Sequence, residues 1–201
     1  MPCFILGENM LRKIVDRTVA NFIDKGIIKQ ESKVIYEYGL EQGIILLLNL
    51  ITILLIGVIS GYVIISVTFM MTYIPLRTYA GGYHASNPVS CYVISVGIVI
   101  VSIILVLFLQ GISAVWSVPF ALLIYILAPI ETPQKKLSKR QKQVYRKKIA
   151  VILIILFLIC IINNFVGIVY VKETIIVAEA IVCIGGIIGY KILKFNNMNI
   201  Y

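Results

Sequence analysis

The sequence predicts an all-α, polytopic membrane protein with about six transmembrane helices plus an N-terminal amphipathic interfacial helix. Two observations carry this. Hydrophobic residues make up 60% and charged residues 13% of the 201 positions, against about 45–50% and 25% in soluble chains. Apolar runs also recur at close to the roughly 20 residues that a helix needs to cross a bilayer. They place spans at about 40–60, 61–77, 91–109, 112–130, 149–170 and 173–193 within a single membrane domain, 1–201.

Each element has its own signal. The first ten residues, MPCFILGENM, hold no basic leader and only a short apolar run, Cys3 to Leu6, so no cleaved signal is expected. Over 8–26, Leu11, Ile14, Val15, Thr18, Val19 and Phe22 recur at helical spacing while Arg12, Lys13, Asp16, Arg17 and Asp24 take the other face. Such a helix lies flat in the interface or packs on the cytoplasmic ends of the bundle, and the pattern is the same for both. The second span is the shortest, because Gly61 leaves almost no loop after the first. Between the fourth and fifth spans, residues 131–148 read as a basic cytoplasmic loop with eight bases and one acid.

Charge distribution sets the orientation. With the N-terminus inside, Arg12, Lys13, Arg17, Lys25, Lys29, Lys33, Arg77, the eight bases from Lys135 to Lys148, Lys191 and Lys194 all fall on the cytoplasmic side, and only Lys172 falls outside. The positive-inside rule therefore predicts a multi-pass cell-membrane protein with both termini cytoplasmic. It also accounts for the net charge of +9, so no nucleic-acid partner is expected. Contact of the basic loop with anionic membrane lipid is expected.

Polar groups inside the spans are few. Asn163 and Glu179 sit at similar depth and are expected to hydrogen-bond across helices in a structural role; Asn49 and Asn164 are the others. Gly185 and Gly189 make one GxxxG, compatible with close helix packing or a homodimer. Cys3, Cys91, Cys160 and Cys183 form no CxxC pair, and His84 is the only histidine. Neither a disulfide framework nor a metal site is expected, and no cofactor is called for.

The stretch RTYAGGYHASNPVSC, residues 77–91, interrupts two apolar runs with two glycines, the histidine and a cysteine seven residues later. On one continuous helix His84 and Cys91 stand about 10 Å apart, too far for proton transfer. Asn87-Pro88 supplies a bend. Proline disfavours helix at the residue before it and suits the first helical position, so Asn87 reads as an N-cap and Cys91 falls in the first turn of the next helix. There the positive helix end and an imidazolium would stabilise the nucleophilic thiolate, and Arg77 would add to the field. Gly81 and Gly82 permit a close peptide approach or backbone N–H groups aimed at an oxyanion. Ser86 and Ser90 are rival nucleophiles that need stronger activation. The plain alternative is a polar interfacial turn whose histidine solvates the membrane edge.

Arg77, Gly82, His84 and Cys91, in the run AGGYHAS with its spacing of seven, resemble the signature of accessory gene regulator B (AgrB) proteins, the membrane cysteine endopeptidases of Gram-positive quorum sensing. The resemblance extends over nearly the whole chain and includes the run APIETP, residues 128–133, before the lysine-rich loop. It shows no departure at the motif positions. It implies that His84 and Cys91 are catalytic, with Arg77, Gly81, Gly82 and Asn87 supporting. The implied partner is an AgrD-like precursor peptide with an amphipathic leader, a central cysteine or serine and an acidic tail. Lys135, Lys136, Lys139 and Arg140 would hold that tail. No third group orienting His84 is evident, although Glu37 or Glu41 could reach it. Two other classes compete: a small-peptide transporter, for which no internal repeat is found, and a lipid-binding scaffold, which leaves the pairing of His84 with Cys91 unexplained.

Overall fold

The computed structural model describes residues 2–81, 88–130 and 137–198, with side chains over 10–81, 90, 92–130 and 137–191. Among the described residues there are seven α-helices and no strand. They are α1 (Pro2–Asp24), α2 (Lys33–Ser60), α3 (Val63–Ala80), α4 (Pro88–Phe108), α5 (Ser117–Leu127), α6 (Lys139–Val166) and α7 (Val171–Met198). Short 3-10 turns at Gln30–Ser32 and Ala114–Trp116 lead into α2 and α5. Three segments, Gln30–Ser60, Val63–Ala80 and Lys139–Val166, are long and apolar enough to cross a membrane. Ala114–Leu127 is a shorter apolar helical segment, and α4 is apolar over its described stretch, Tyr92–Phe108. The protein is therefore an all-helical membrane protein, and among the described residues three of the expected spans meet the full length.

The chain divides into two compact units, one of residues 1–52 with 85–97 and the other of residues 53–84 with 98–201. In the first, α1 turns into α2 through Gly26, whose φ of 69° is left-handed. Val15 and Val19 of α1 and Ile28 are buried, with Leu40 and Ile44 of α2 against them. Ile14 and Phe22, from the same predicted stripe, stay exposed. Half of the amphipathic face is thus covered by the chain itself. α2 begins seven residues before its predicted span, at Lys33, where an ion pair with Glu37 at 3.6 Å supports the first turn.

In the second unit α7 packs on α3, α5 and α6. Two residues, Gly61 and Tyr62, link α2 to α3, and Gly57 lets the helices close: a Cβ there would lie 2.6 Å from Ser66 Oγ. α6 starts at Lys139, ten residues before its predicted span. The cause is a capping box, in which Ser138 Oγ accepts from Gln141 N–H and Gln141 Oε1 accepts from Ser138 N–H. The second half of the expected basic loop, 139–148, is therefore helix. α6 ends at Gly167, φ 73°, whose N–H bonds Asn163 O. The segment predicted as a span over 112–130 instead yields a 3-10 turn and the 11-residue α5.

The expected Asn163–Glu179 hydrogen bond is absent. Ser117 Oγ donates to Glu179 Oε2 at 2.7 Å, and Asn163 Nδ2 donates to Ile168 O at 3.1 Å, closing the turn after α6. Asn163 Oδ1 and Glu179 Oε1 are both buried without a partner. Equal depth along two helices did not decide the pairing, because the hydroxyl at the start of α5 takes the carboxylate and the nearer backbone carbonyl takes the amide.

Candidate functional site

α3 ends where the glycine pair begins. Gly81 adopts φ 78° and ψ −150°, a conformation essentially reserved to glycine. Its N–H bonds Arg77 O at 3.2 Å, and its carbonyl accepts from Arg77 Nη1 at 2.8 Å. Arg77 thus grips the last turn of its own helix and the first residue beyond it. Against Gly81 lies Ile130: the two form an isolated parallel bridge, and Ile130 N–H donates to Ala80 O at 2.9 Å. A Cβ on Gly81 would run into the Ile130 carbonyl oxygen. The start of the glycine-histidine run is thereby tied, across 49 positions of sequence, to the run that precedes the basic segment.

α7 forms the floor of this junction. A Cβ on Gly185 would lie 3.6 Å from Arg77 Nη1, and one on Gly186 would lie 3.2 Å from Ile130 Cδ1. Beside them, Ala80, Gly81, Leu127, Ile130, Cys183 and Gly186 line part of a cavity of about 10 Å³. The basic start of α6 reaches the same end of α3. Lys148 Nζ lies 4.7 Å above the Tyr79 ring and 3.3 Å from its hydroxyl, and Tyr145 meets that ring edge-on at 5.4 Å. Lys139 and Arg140 open α6 and are exposed.

In the other unit, α4 begins at Pro88, the position the Asn-Pro pair predicts, so Cys91 lies in its first turn. The next residue, Tyr92, is hydrogen-bonded through its hydroxyl to Thr52 Oγ1 of α2 at 2.7 Å. Thr52 gives its own hydrogen to Leu48 O at 2.8 Å, so Tyr92 is the donor. One turn earlier on α2, Asn49 Oδ1 is buried with no partner.

Of the residues predicted for the site, Arg77 and Gly81 are brought together. Gly82, His84, Asn87, Lys135 and Lys136 lie outside the described residues, and of Cys91 the helical position alone is described. Sequence reasoning missed Ile130, Gly185 and Gly186 as neighbours of the motif. Gly185, one member of the GxxxG pair, faces Arg77 in the junction, with Gly186 against Ile130.

An all-helical chain with apolar helices of membrane-crossing length defines a membrane protein. The family model of Accessory gene regulator B, AgrB, matches residues 12–195, and the chain belongs to that family. No curated protein and no solved structure matches the chain. The family is in general a membrane protease-like processing protein that acts with an AgrD precursor peptide. Membership is consistent with a role in agr quorum-sensing peptide processing.

Proposed function

We propose that the chain is a membrane-embedded cysteine endopeptidase that removes the C-terminal tail of an AgrD-like precursor and promotes ring closure of the remaining peptide. Cys91 attacks the carbonyl before the tail. His84 takes the thiol proton and gives it to the leaving amine, so a thioester to Cys91 forms as the amide breaks. The precursor's own cysteine or serine then attacks the thioester, its proton returning to Cys91 by way of His84, and a thiolactone or lactone leaves. A tethered nucleophile has a high effective molarity, and an active site at the membrane surface limits competing water.

The observation that carries this reading is the match to the family over 12–195, with Arg77, Gly82, His84 and Cys91 all standing at the motif positions. The Gly81–Ile130 bridge supports it, since it sets the end of α3 beside the segment leading into the bases. In this reading Arg77 and Gly81 hold the turn ahead of His84, Gly82 and Asn87 shape it, and Lys135, Lys136, Lys139 and Arg140 hold the acidic tail. Both termini and the motif face the cytoplasm of a Gram-positive cell, as the distribution of bases supports. The remaining bases meet anionic lipid, and the helices form one membrane domain.

Intact mass spectrometry of a candidate precursor incubated with the protein in lipid, beside Cys91→Ala and His84→Ala, tests the proposal. The expected product is a fragment one water lighter than the hydrolysed peptide, made by the unmodified protein alone. Equal cleavage by Cys91→Ala would overturn the assignment.

A further inference from the structure

Within the unit of residues 1–52 and 85–97, the hydroxyl of Tyr92 fastens the first turns of α4 to Thr52 on α2. Asn49 stands one turn before Thr52, on the same face of α2. Its Oδ1 is buried and has no hydrogen-bond partner. Thr52, by contrast, is fully used: it donates to Leu48 O and accepts from Tyr92. A buried acceptor left without a donor is costly and rare in a folded protein, and the cost is sharper among apolar neighbours such as Ile45 and Ile53 on the same helix. Tyr92 follows Cys91 directly. The unfilled acceptor therefore belongs to the stretch of α2 that is tied to the turn carrying the proposed nucleophile.

What could fill it is limited by chemistry. Lipid chains carry no donor. An extended peptide entering apolar surroundings carries a backbone N–H at nearly every residue, each of which must find an acceptor there. We propose that Asn49 Oδ1 accepts a backbone N–H of the precursor peptide and so holds the chain beside the first turn of α4 for attack. The inference rests on the reading of Cys91 as nucleophile and adds a substrate-binding residue to that site. Because the acceptor is a single side-chain oxygen meeting the peptide backbone, it fixes the position of the peptide chain and is indifferent to the side chains the peptide carries.

The test uses full-length protein in vesicles of phosphatidylcholine and phosphatidylglycerol, in the Cys91→Ala background, titrated with a fluorescent precursor having an amphipathic leader, a central cysteine and an acidic tail. Asn49→Leu and Asn49→Ala should each weaken binding about tenfold, the loss of one hydrogen bond, while Asn49→Asp, which keeps an acceptor, stays within about twofold. With Cys91 intact, Asn49→Leu should raise KM and leave kcat nearly unchanged, the mark of lost uniform binding. A role confined to helix packing moves the unfolding midpoint instead. Unaltered binding by Asn49→Leu, or equal losses in Asn49→Leu and Asn49→Asp, would overturn the proposal. Cleavage that survives Cys91→Ala sinks the nucleophile assignment, and the contrast between Asn49→Leu and Asn49→Asp, read on the uncut precursor before turnover, still decides the role of Asn49.

Discussion

Replacing Gly81 with alanine tests whether the junction at the end of α3 is a built part of the machinery. Two costs follow from its geometry. The φ of 78° with ψ −150° costs a non-glycine residue about 1–3 kcal/mol. The added Cβ also meets the Ile130 carbonyl, with Ile130 C at 3.3 Å and Ile130 N at 3.4 Å. Those are backbone atoms that no rotamer can move, so the bridge opens and the Ile130 N–H to Ala80 O bond is lost, worth about 0.5–1.5 kcal/mol. The sum is about 3 kcal/mol. Gly111 is the internal control: its φ of 77° is nearly the same, but a Cβ there meets nothing within 4 Å, so Gly111→Ala carries only the backbone cost of about 1–2 kcal/mol. At about 2–4 °C per kcal/mol for a chain of this length, thermal unfolding followed by circular dichroism in lipid nanodiscs should fall by roughly 6–12 °C for Gly81→Ala and by roughly 2–8 °C for Gly111→Ala, on the same scale. Processing at 25 °C should drop at least about tenfold for Gly81→Ala and stay within about twofold for Gly111→Ala, since 1.4 kcal/mol of misplacement is already a factor of ten. Equal effects of the two substitutions, on stability or on processing, would refute the reasoning.

Other outcomes follow from the same structure. Ser117→Ala leaves both oxygens of the buried Glu179 carboxyl without a partner and should cost about 1–3 kcal/mol, whereas Glu179→Gln keeps an acceptor for Ser117 and should unfold within a few degrees of the parent; a larger loss for Glu179→Gln would show that charge matters there. Replacing Lys135, Lys136, Lys139 and Arg140 together by Gln should slow processing of an acid-tailed precursor with folding intact, and undiminished rates at moderate salt would remove tail docking from their role. Converting an amide to a thioester is uphill, so excess synthetic tail peptide should lower the yield of cyclised product; a yield insensitive to added tail would contradict a reversible first step. Arg77→Lys keeps the charge but loses the planar donors that reach Gly81 O, and initial rates should fall about tenfold, a loss of the order expected for one charge-assisted bond.

The parts legible in the sequence are those that depend on local pattern. The start of α4 at Pro88 is where the Asn-Pro pair is read, because that signal sits within a few residues. The early start of α6 was legible too, in Ser138 and Gln141, but the density of bases drew the reading towards a loop. The short α5 was missed because an apolar run records hydrophobicity and not where the backbone stops being helical; Ala128-Pro129 ends it early. Glu179 could not be paired from sequence, since its partner is a serine 62 residues away that carries no signal of its own.

Two runs that carry the family resemblance, AGGYHAS and APIETP, lie far apart in the chain and look unrelated. In the structure their ends meet, Ala80 and Gly81 against Ile130. Each side needs what it has: Gly81, because any side chain would strike Ile130; an amide N–H at 130, because Ala80 O otherwise goes unpaired; and a small residue at 186, where a Cβ would lie 3.2 Å from Ile130 Cδ1. A junction with these requirements holds the entry to the histidine segment and the entry to the basic segment in one place. If His84 and Cys91 cut and the bases hold the tail, a change at Ile130 that leaves α5 and α6 folded should disturb cleavage and tail retention together. A substitution that weakened only one of them would separate the two functions the junction is inferred to join.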